Sequence, residues 1–208
     1  MSKDYDKLSD QGKDYVERML NAASRMQNLI NDLLNFSRVT AQSKKFEKVS
    51  LDTILDDVIS DLEVTIEQTG AEIIRTPLPE IEAEPTQMRQ LFQNLLTNAI
   101  KFRKENESPI ISIYAKNLQR KAHLLATPGD EVAEIYVEDN GIGFDEKYLD
   151  RIFNIFQRLE GQKFEGSGIG LAVCRKIAIR HGGDITATSQ PGVGTRFIVT
   201  LALKHPEE

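Results

Sequence analysis

The run Asn94-Leu95-Leu96-Thr97-Asn98-Ala99-Ile100-Lys101-Phe102 has the spacing of a helix with two unlike faces. Asn94, Asn98 and Lys101 lie four and three residues apart, so they share one face, and the opposite face is apolar. Amide oxygens are suitable ligands for Mg²⁺, and a lysine ammonium neutralises the phosphates that a magnesium ion accompanies. Asparagines on a helix surface are more often structural, so this run needs support from elsewhere in the chain.

Three further motifs follow this run in a fixed order and supply that support. They are Asp139-Asn140-Gly141-Ile142-Gly143 after a predicted strand, Gly166-Ser167-Gly168-Ile169-Gly170-Leu171 before a predicted helix, and Gly194-Thr195-Arg196-Phe197 at the start of the last predicted strand. A single Gly-x-Gly is common by chance. The four motifs in this order predict a pocket for ATP.

The second motif offers a carboxylate to a base. Asp139 directly follows the alternating pattern of residues 134–138, which predicts a strand. A carboxylate at a strand end can accept the exocyclic amino hydrogen of adenine, a contact that guanine does not offer. Gly141 and Gly143 lack the Cβ atoms that would obstruct close approach of the base. A tight turn that needs glycine for its own backbone is the alternative explanation for these two positions.

The third motif, residues 166–171, precedes an apolar helical pattern and is typical of anion binding at a helix N-terminus. Its Gly-x-Gly-x-Gly spacing and the lack of a strand directly before it exclude the dinucleotide-binding motif, and the Lys-Ser/Thr ending of a P-loop is missing. Between the second and third motifs, Phe153 and Phe156 are candidate hinges of a flap over the nucleotide. Arg158 is a candidate ligand of the γ-phosphate, or else a solvated surface arginine.

A wide apolar stripe predicts one long amphipathic helix over residues 1–40, with Ser9 or Asp10 as its cap. Its seam repeats in steps of four and three, as in helical bundles, and consists of Tyr15, Met19, Ala22, Met26, Leu29, Leu33 and Phe36. One helix cannot bury such a stripe, so we expect a partner, most simply a second copy of the chain. Packing onto the chain's own globular part is the alternative.

The pattern of a compact α/β domain follows a polar stretch at residues 40–48, within which residues 42–45 are the predicted hinge. Helices are predicted from the apolar pattern of residues 51–66, with an end at Gly70, from a cap at Glu84-Pro85, and over residues 169–181. Strands are predicted at residues 72–75, 110–116 and 132–138, with a final hairpin of residues 184–190 and 195–203. His181, at the end of the last helix, is expected to be a favourable C-terminal cation.

Composition limits the class of function. The net charge of -6 provides no broad basic surface, which disfavours nucleic acid as a partner. The single cysteine, Cys174, cannot form an internal disulfide and fits a reducing compartment. The sequence has neither a signal-peptide pattern nor an apolar run near the roughly 18 residues of a membrane helix. We therefore expect a cytoplasmic location without direct membrane contact, although a longer parent protein can still carry a membrane anchor.

With these motifs together, the chain resembles the sensor histidine kinases of two-component signalling. The first motif is similar to that family's N box, the glycine motifs to its glycine boxes, and Phe153-Asn154-Ile155-Phe156-Gln157-Arg158 to its phenylalanine box. The resemblance implies an α+β fold, in which residues 1–42 are part of a dimerisation and phosphotransfer hairpin and residues 43–208 form a catalytic ATP-binding domain. That domain would be a Bergerat-type α/β sandwich, a mixed sheet of about five strands with helices on one face.

The resemblance also assigns roles to residues. Asn94, Lys101 and Arg158 are the catalytic candidates, and Asn94 and Asn98 would bind Mg²⁺. The implied nucleotide-binding residues are Asn98, Phe102, Asp139, Gly141, Gly143, Gly166, Ser167, Gly168, Ile169, Gly170, Leu171 and Thr195. The γ-phosphate of ATP would pass to a histidine and then to an aspartate of a response regulator receiver domain, within a homodimer formed through the N-terminal helix.

The acceptor histidine of that family is not evident in this sequence. The family phosphorylates a histidine in a His-Glu-Leu or His-Asp-Leu motif on the first hairpin helix, whereas this chain has only His123, His181 and His205, none in that setting. We therefore expect the chain to start near the end of that helix and to be unable to autophosphorylate by itself.

Two other functions remain open. Bergerat-fold ATPases such as gyrase carry a glutamate four residues before the metal-binding asparagine, where it can polarise a water. That position is Asn94 here, which favours a histidine kinase with slow ATP hydrolysis, because a neutral imidazole needs less activation. The second alternative is a non-catalytic nucleotide-binding dimerisation module, which a histidine-bearing hairpin supplied in trans would distinguish.

Overall fold

The computed structural model describes residues 5, 8–41, 45–118, 131–159 and 166–204. The helices are α1 (Asp10–Ala41), α2 (Leu51–Asp61), α3 (Glu63–Thr69), α4 (Pro85–Lys101), α5 (Leu149–Ile152) and α6 (Gly170–Arg180), with a 3₁₀ turn at Glu146–Tyr148. The strands are β1 (Glu47–Ser50), β2 (Glu72–Arg75), β3 (Glu80–Ala83), β4 (Ile110–Leu118), β5 (Val132–Asp139), β6 (Asp184–Gln190) and β7 (Gly194–Ala202). His123, His205 and residues 42–44 of the predicted hinge lie outside the described residues.

A five-stranded mixed sheet in the order β2-β4-β5-β7-β6 forms the centre of the domain that follows α1. β2 runs parallel to β4, and the other neighbours are antiparallel. β1 and β3 form a separate two-stranded antiparallel ribbon. This architecture confirms the predicted α+β fold with a mixed sheet of five strands.

Helices α2, α4 and α6 pack on one face of the sheet. Alternate residues of the central strands point toward them and are buried, as Ile111 and Ile113 of β4 and Ile135 and Val137 of β5 illustrate. These side chains share one core with the fully buried Leu95 of α4. Burial of each such side chain contributes about 2 kcal/mol, so the sheet fixes the position of α4 firmly.

The helix that carries the first motif, α4, begins as predicted at Glu84 and Pro85. The Glu84 carboxylate accepts hydrogen bonds from two N–H groups of the first turn, at 3.1 Å each. Pro85 occupies the first helical position, where its missing N–H leaves no hydrogen bond unmade. Asn94 and Asn98 are half-buried, on the side of α4 away from its core residues.

The N-terminal helix α1 is capped by Ser9, whose hydroxyl accepts the Gly12 N–H at 3.2 Å. Much of its predicted apolar stripe is solvent-exposed, with Met19 and Leu33 retaining 66% and 46% of their accessible surface. Among the described residues, no helix combines the length and apolarity needed to cross a bilayer.

The C-terminal end of α1 packs instead on the domain that follows. Val39 is only 3% exposed and belongs to the domain core. Lys176 and Arg180 of α6 donate to the carbonyls of Phe36 and Val39 at 2.9 and 2.8 Å. The Val39 carbonyl is one of the last four of α1, which have no donor within the helix. Packing of α1 onto the chain's own domain, the alternative considered above, therefore holds for this end of the helix.

Some predicted elements differ from the structure. The single helix predicted over residues 51–66 is divided at Leu62 (φ -95°, ψ 2°) into α2 and α3, and α3 contributes no buried side chain. β1 and β3 were not predicted, because strands of four residues carry little periodic signal.

The prediction that His181 is a helix-terminal cation was wrong. Its ring is 1% exposed, Nδ1 donates to the Ile177 carbonyl at 2.8 Å, and Nε2 accepts the Glu84 N–H at 3.1 Å. Because one ring nitrogen accepts a hydrogen bond, the imidazole is neutral. His181 therefore connects the end of α6 to the start of α4.

Candidate nucleotide site

The first and third motifs meet because α4 and α6 pack antiparallel. Asn94 Nδ2 donates to the Gly170 carbonyl at 3.3 Å. A Cβ atom on Gly166 would lie 2.7 Å from Lys101 Nζ, so that ammonium lies against the Gly166 backbone. The Asn94 amide and the Lys101 ammonium of α4 thus border residues 166–170, the glycine segment that leads into α6.

The N-terminus of α6 has no side-chain cap among the described residues. Ser167 Oγ accepts the Ile169 N–H at 3.3 Å, and the Ile169 side chain is fully buried. Gly168 has φ +73°, and a Cβ there would lie 2.8 Å from the Gln157 carbonyl oxygen, so this position requires glycine. The uncapped helix end places partial positive charge where Asn94 meets Gly170, which is a suitable environment for a phosphate.

Asp139 ends β5 at the opposite end of the site. Its Oδ1 accepts the N–H groups of Gly141 and Thr195 at 2.8 and 3.2 Å. Burial raises the pKa of this carboxyl to about 6, against the lowering effect of the two hydrogen bonds and with a smaller contribution from Glu138. The described residues make no hydrogen bond to Oδ2, which leaves that oxygen for an outside donor.

Close backbone packing connects Phe102 at the end of α4 to the second motif. The Phe102 carbonyl accepts the Ile142 N–H at 2.9 Å, and a Cβ on Gly141 would lie 2.6 Å from that same oxygen. Gly143 has φ +61°, and a Cβ there would lie 2.1 Å from the Gln190 carbonyl oxygen. Both glycines are therefore required by close packing against distant backbone segments, and a left-handed turn conformation adds to this requirement at Gly143 alone.

A hydroxyl network that sequence reasoning missed holds the fourth motif beside Asp139. Ser189 Oγ lies 2.9 Å from the Phe144 nitrogen, 2.9 Å from the Gly194 carbonyl oxygen and 3.0 Å from Thr195 Oγ1. Ser189 stands opposite Thr195 in the ladder of β6 and β7. The predicted hairpin already implied this pairing, so its register was the available signal.

The remaining predicted residues are less closely associated with this site. Arg158 is exposed in the segment after α5, and Leu171 packs against the core from the first turn of α6. The two phenylalanines are not equivalent hinges, because Phe153 is 7% exposed within the core whereas Phe156 is 54% exposed with φ +64°. Residues 160–165 lie outside the described part of the chain.

Cys174 lies directly behind Asn94, between α4 and α6. Its side chain is fully buried, and its Sγ is 3.9 Å from the Leu91 carbonyl oxygen. Burial raises the pKa of the thiol to about 12, and the Asn94 side chain lowers it slightly. The thiol is therefore protonated and forms part of the packing beneath the site.

The site offers few protein ligands to a metal. Within the described residues there is no group of three or more His, Cys, Asp or Glu side chains that could hold one. Mg²⁺ commonly takes one or two protein oxygens and completes its shell with phosphate oxygens and waters. The amide oxygens of Asn94 and Asn98, one helical turn apart, fit that chemistry only if a phosphate ligand is present.

A concavity of about 860 Å³ opens at the strand ends beside Asp139 and Thr195. It continues onto the sheet face that the helices leave uncovered, where Ser112, Glu138 and Arg196 line it. No residue of α4 or α6 lines this concavity. It thus reaches the Asp139 end of the site but is not the space between Lys101 and the third motif.

Comparison with known proteins gives matches along most of the chain. The family model described as "Histidine kinase-, DNA gyrase B-, and HSP90-like ATPase" matches residues 83–205, and that of the "His Kinase A (phospho-acceptor) domain" matches residues 1–42. Cyanobacterial phytochrome A of Nostoc sp. is 41% identical over 197 residues, which cover 94% of this chain and 24% of the relative. Sensor histidine kinase WalK of Bacillus subtilis is 30% identical over 211 residues, 95% of this chain and 32% of the relative.

Solved structures give the same picture of the fold. Full-length ShkA in complex with AMPPNP superposes with a TM-score of 0.68 at 25% identity, covering 93% of this chain and 39% of that one. The catalytic domain of histidine kinase ThkA gives a TM-score of 0.63 at 23% identity, covering 78% of this chain and 100% of that domain, which supports the fold alone. The chain spans about a quarter to a third of the length of the two relatives above.

Proposed function

Because this chain belongs to the sensor histidine kinases of the histidine kinase-, DNA gyrase B- and HSP90-like ATPase family, we propose that it binds MgATP and transfers the γ-phosphate to a histidine. The phosphoryl group would then pass to an aspartate of a response regulator receiver domain. The observation that carries this proposal is the meeting of Asn94 and Lys101 with the glycine segment at the start of α6. A carboxylate suited to adenine, Asp139, lies at the other end of the same site.

In the proposed complex, Asp139 Oδ2 accepts the exocyclic amino hydrogen of adenine, and Phe102, Gly141, Gly143 and Thr195 border the base. The phosphates occupy the space between α4 and α6. Their contacts are Lys101, Gly166, Ser167, Gly168, Ile169, Gly170 and Leu171. Asn94 and Asn98 hold Mg²⁺, which supplies charge neutralisation at the phosphate oxygens.

The chain's own contribution to the reaction is positioning and charge. Asn94 has no basicity, so no side chain at this position removes a proton from a nucleophile. A neutral imidazole attacks the γ-phosphorus with its lone pair, the bond from phosphorus to the bridging oxygen breaks, and ADP leaves with that electron pair. Lys101 stabilises the charge on the phosphate oxygens, and we include the exposed Arg158 as a further ligand of the γ-phosphate.

The accepting imidazole is proposed to lie outside this sequence. Residues 1–42 match the phospho-acceptor domain model but contain no histidine. His181 is buried with both ring nitrogens hydrogen-bonded, which removes it from consideration. We therefore propose that this chain alone does not autophosphorylate, and that it acts in the cytoplasm as a homodimer joined through the exposed stripe of α1.

The test supplies a histidine-bearing hairpin in trans with ATP labelled at the γ-phosphate, and measures hairpin labelling, phosphate release and nucleotide occupancy together. We expect labelling with the unaltered chain and loss of labelling in Asn98→Ala. Gln93→Ala, an exposed neighbour on α4, is the matched control and should label normally. Steady phosphate release without hairpin labelling would favour the ATPase alternative. Full occupancy with neither activity would favour the non-catalytic binding module.

A further inference from the structure

The Ser189 hydroxyl has three partners but only one hydrogen. The Gly194 carbonyl oxygen, at 2.9 Å, can only accept, so the Ser189 hydrogen is donated there. The Phe144 N–H, also at 2.9 Å, can only donate. The third contact, 3.0 Å to Thr195 Oγ1, therefore requires the hydrogen of Thr195.

This hydrogen count fixes how Thr195 faces the site. Its hydroxyl hydrogen points to Ser189 and its backbone N–H points to Asp139 Oδ1, so Oγ1 offers only lone pairs to any ligand. Asp139 Oδ2 likewise offers only lone pairs when ionised. Thr195 and Asp139 stand opposite each other in the ladder of β5 and β7, and both line the concavity at the strand ends.

Two neighbouring acceptors require a ligand group that carries hydrogens. The exocyclic amino group of adenine carries two, whereas the carbonyl oxygen at the same position of a 6-oxo purine carries none and would face two lone pairs. A desolvated acceptor left without a donor is unfavourable, so the arrangement discriminates against the 6-oxo base.

We propose that Ser189 is a specificity-determining positioning residue, which selects 6-amino over 6-oxo purine nucleotides by holding the Thr195 hydroxyl as an acceptor. This inference rests on the proposed binding of ATP at this site. Without the Ser189 hydroxyl, Thr195 is free to turn its hydrogen toward the ligand and can donate to a 6-oxo group.

The experiment compares the dissociation constants of ATP and inosine triphosphate by calorimetry on the full chain. Inosine triphosphate is the probe because it carries the 6-oxo group without the additional 2-amino group of guanine. We expect Ser189→Ala to lower the preference for ATP by about tenfold, the effect of one hydrogen bond. Ser189→Thr, which keeps a hydroxyl, should retain the preference, as should Thr186→Ala, an exposed residue of β6 that does not line the concavity.

A purely structural role for Ser189 would weaken both nucleotides equally, and an unchanged ratio in Ser189→Ala would overturn the inference. In a Thr195→Val background, Ser189→Ala should have no further effect on the ratio, because the hydroxyl through which it acts is gone. If Ser189→Ala does not fold, Thr195→Val is the deciding variant. An unchanged ratio of the ATP and inosine triphosphate dissociation constants in Thr195→Val would show that the Thr195 hydroxyl does not discriminate between the bases, and would overturn the inference. Absence of ATP binding by the unaltered chain would instead overturn the proposed function, and this inference with it.

Discussion

Asp139 is a side chain for which stability and ligand binding make opposite demands. Its pKa of about 6 lies above the ordinary value of 3.8 because the carboxyl is buried. At neutral pH the folded protein must hold this carboxylate ionised in an environment that disfavours the charge. The same ionised oxygen is the acceptor that the proposed adenine contact uses.

We predict that Asp139→Asn increases the free energy of unfolding at pH 7. The folded state binds the Asp139 proton more tightly than the unfolded state, so stability from this group is present below about pH 4 and is lost as pH rises through about 6. The amide removes this cost, which is up to about 3 kcal/mol for a carboxyl whose pKa is about 6 in the folded state and 3.8 in the unfolded state. Urea unfolding at pH 7 and pH 4 is the measurement, and a gain that is equal at both values would contradict the explanation.

ATP affinity should change in the opposite direction. Asp139→Asn loses a hydrogen bond to a charged acceptor, worth about 2 kcal/mol, so we expect affinity to fall by roughly thirtyfold. In the unaltered chain, affinity should decline as pH falls below about 6, where the carboxyl becomes protonated. Calorimetric titrations across pH 5 to 8 measure both effects. A flat pH profile would argue against Asp139 as the adenine acceptor.

A third prediction concerns Asn98, which shares the face of α4 with Asn94. Asn98→Ala removes one of the two proposed amide ligands of Mg²⁺ and should abolish the difference in ATP affinity with and without the ion. Titrations of ATP in excess Mg²⁺ and in chelator provide the measurement, with Gln93→Ala as the control. Undiminished MgATP affinity in Asn98→Ala would show that the metal is held elsewhere.

At the scale of secondary-structure elements, α6 connects the site to the N-terminal helix. Its first residue, Gly170, accepts the amide of Asn94, and its last two turns hold the end of α1 through Lys176 and Arg180. The Lys176 ammonium also lies 4.3 Å from the centroid of the Phe36 ring. The glycine segment and α1 therefore contact opposite ends of one rigid helix.

We predict that the double substitution Lys176→Ala, Arg180→Ala releases the last turn of α1. Two hydrogen bonds of about 1 kcal/mol each are lost, so amide exchange at residues 36–41 should accelerate by roughly tenfold or more. Ile179→Ala, an exposed neighbour on α6, is the control. Exchange that is unchanged in the double variant would mean that the burial of Val39 alone holds this end of the helix.

Elements with local signals were predictable from the sequence, and elements that depend on distant partners were not. α4 was predicted from its Glu84-Pro85 start, and the final hairpin from its turn. β1 and β3 pair with each other although they lie far apart in sequence, and each is four residues long, so neither has a period to detect. His181 was misjudged for a related reason, since its partner at Glu84 is distant in sequence.

At the scale of the whole molecule, the exposed stripe of α1 is the proposed dimer surface. We predict that Met26→Glu, in the seam of that stripe, or Ile30→Glu, at an exposed apolar side chain beside the seam, shifts the chain toward a monomer in sedimentation velocity. Val64→Glu, at an exposed apolar side chain of α3, is the control. A monomer at all concentrations before substitution would contradict the prediction.

The candidate site could be predicted in outline because its side chains occur in short motifs on elements of recognisable type. Asn94, Lys101 and the third motif are now seen to meet, and Asp139 ends its strand as expected. The Ser189 network could not be read from a motif, because Ser189 lies outside all four motifs and its partners come from two separate segments, Phe144 and Gly194-Thr195. Whether Arg158 acts at the site stays a prediction.

The buried thiol beneath Asn94 makes conformational opening of the molecule measurable without an added label. Cys174 is the only cysteine in the sequence, and its packing between α4 and α6 keeps it from aqueous reagents. A disulfide reagent can modify it only when the two helices separate, so the modification rate reports the population of separated molecules. A nucleotide that bridges the two helices would suppress that separation. The factor by which it slows thiol modification would then give the free energy by which bound nucleotide stabilises the packing of α4 against α6.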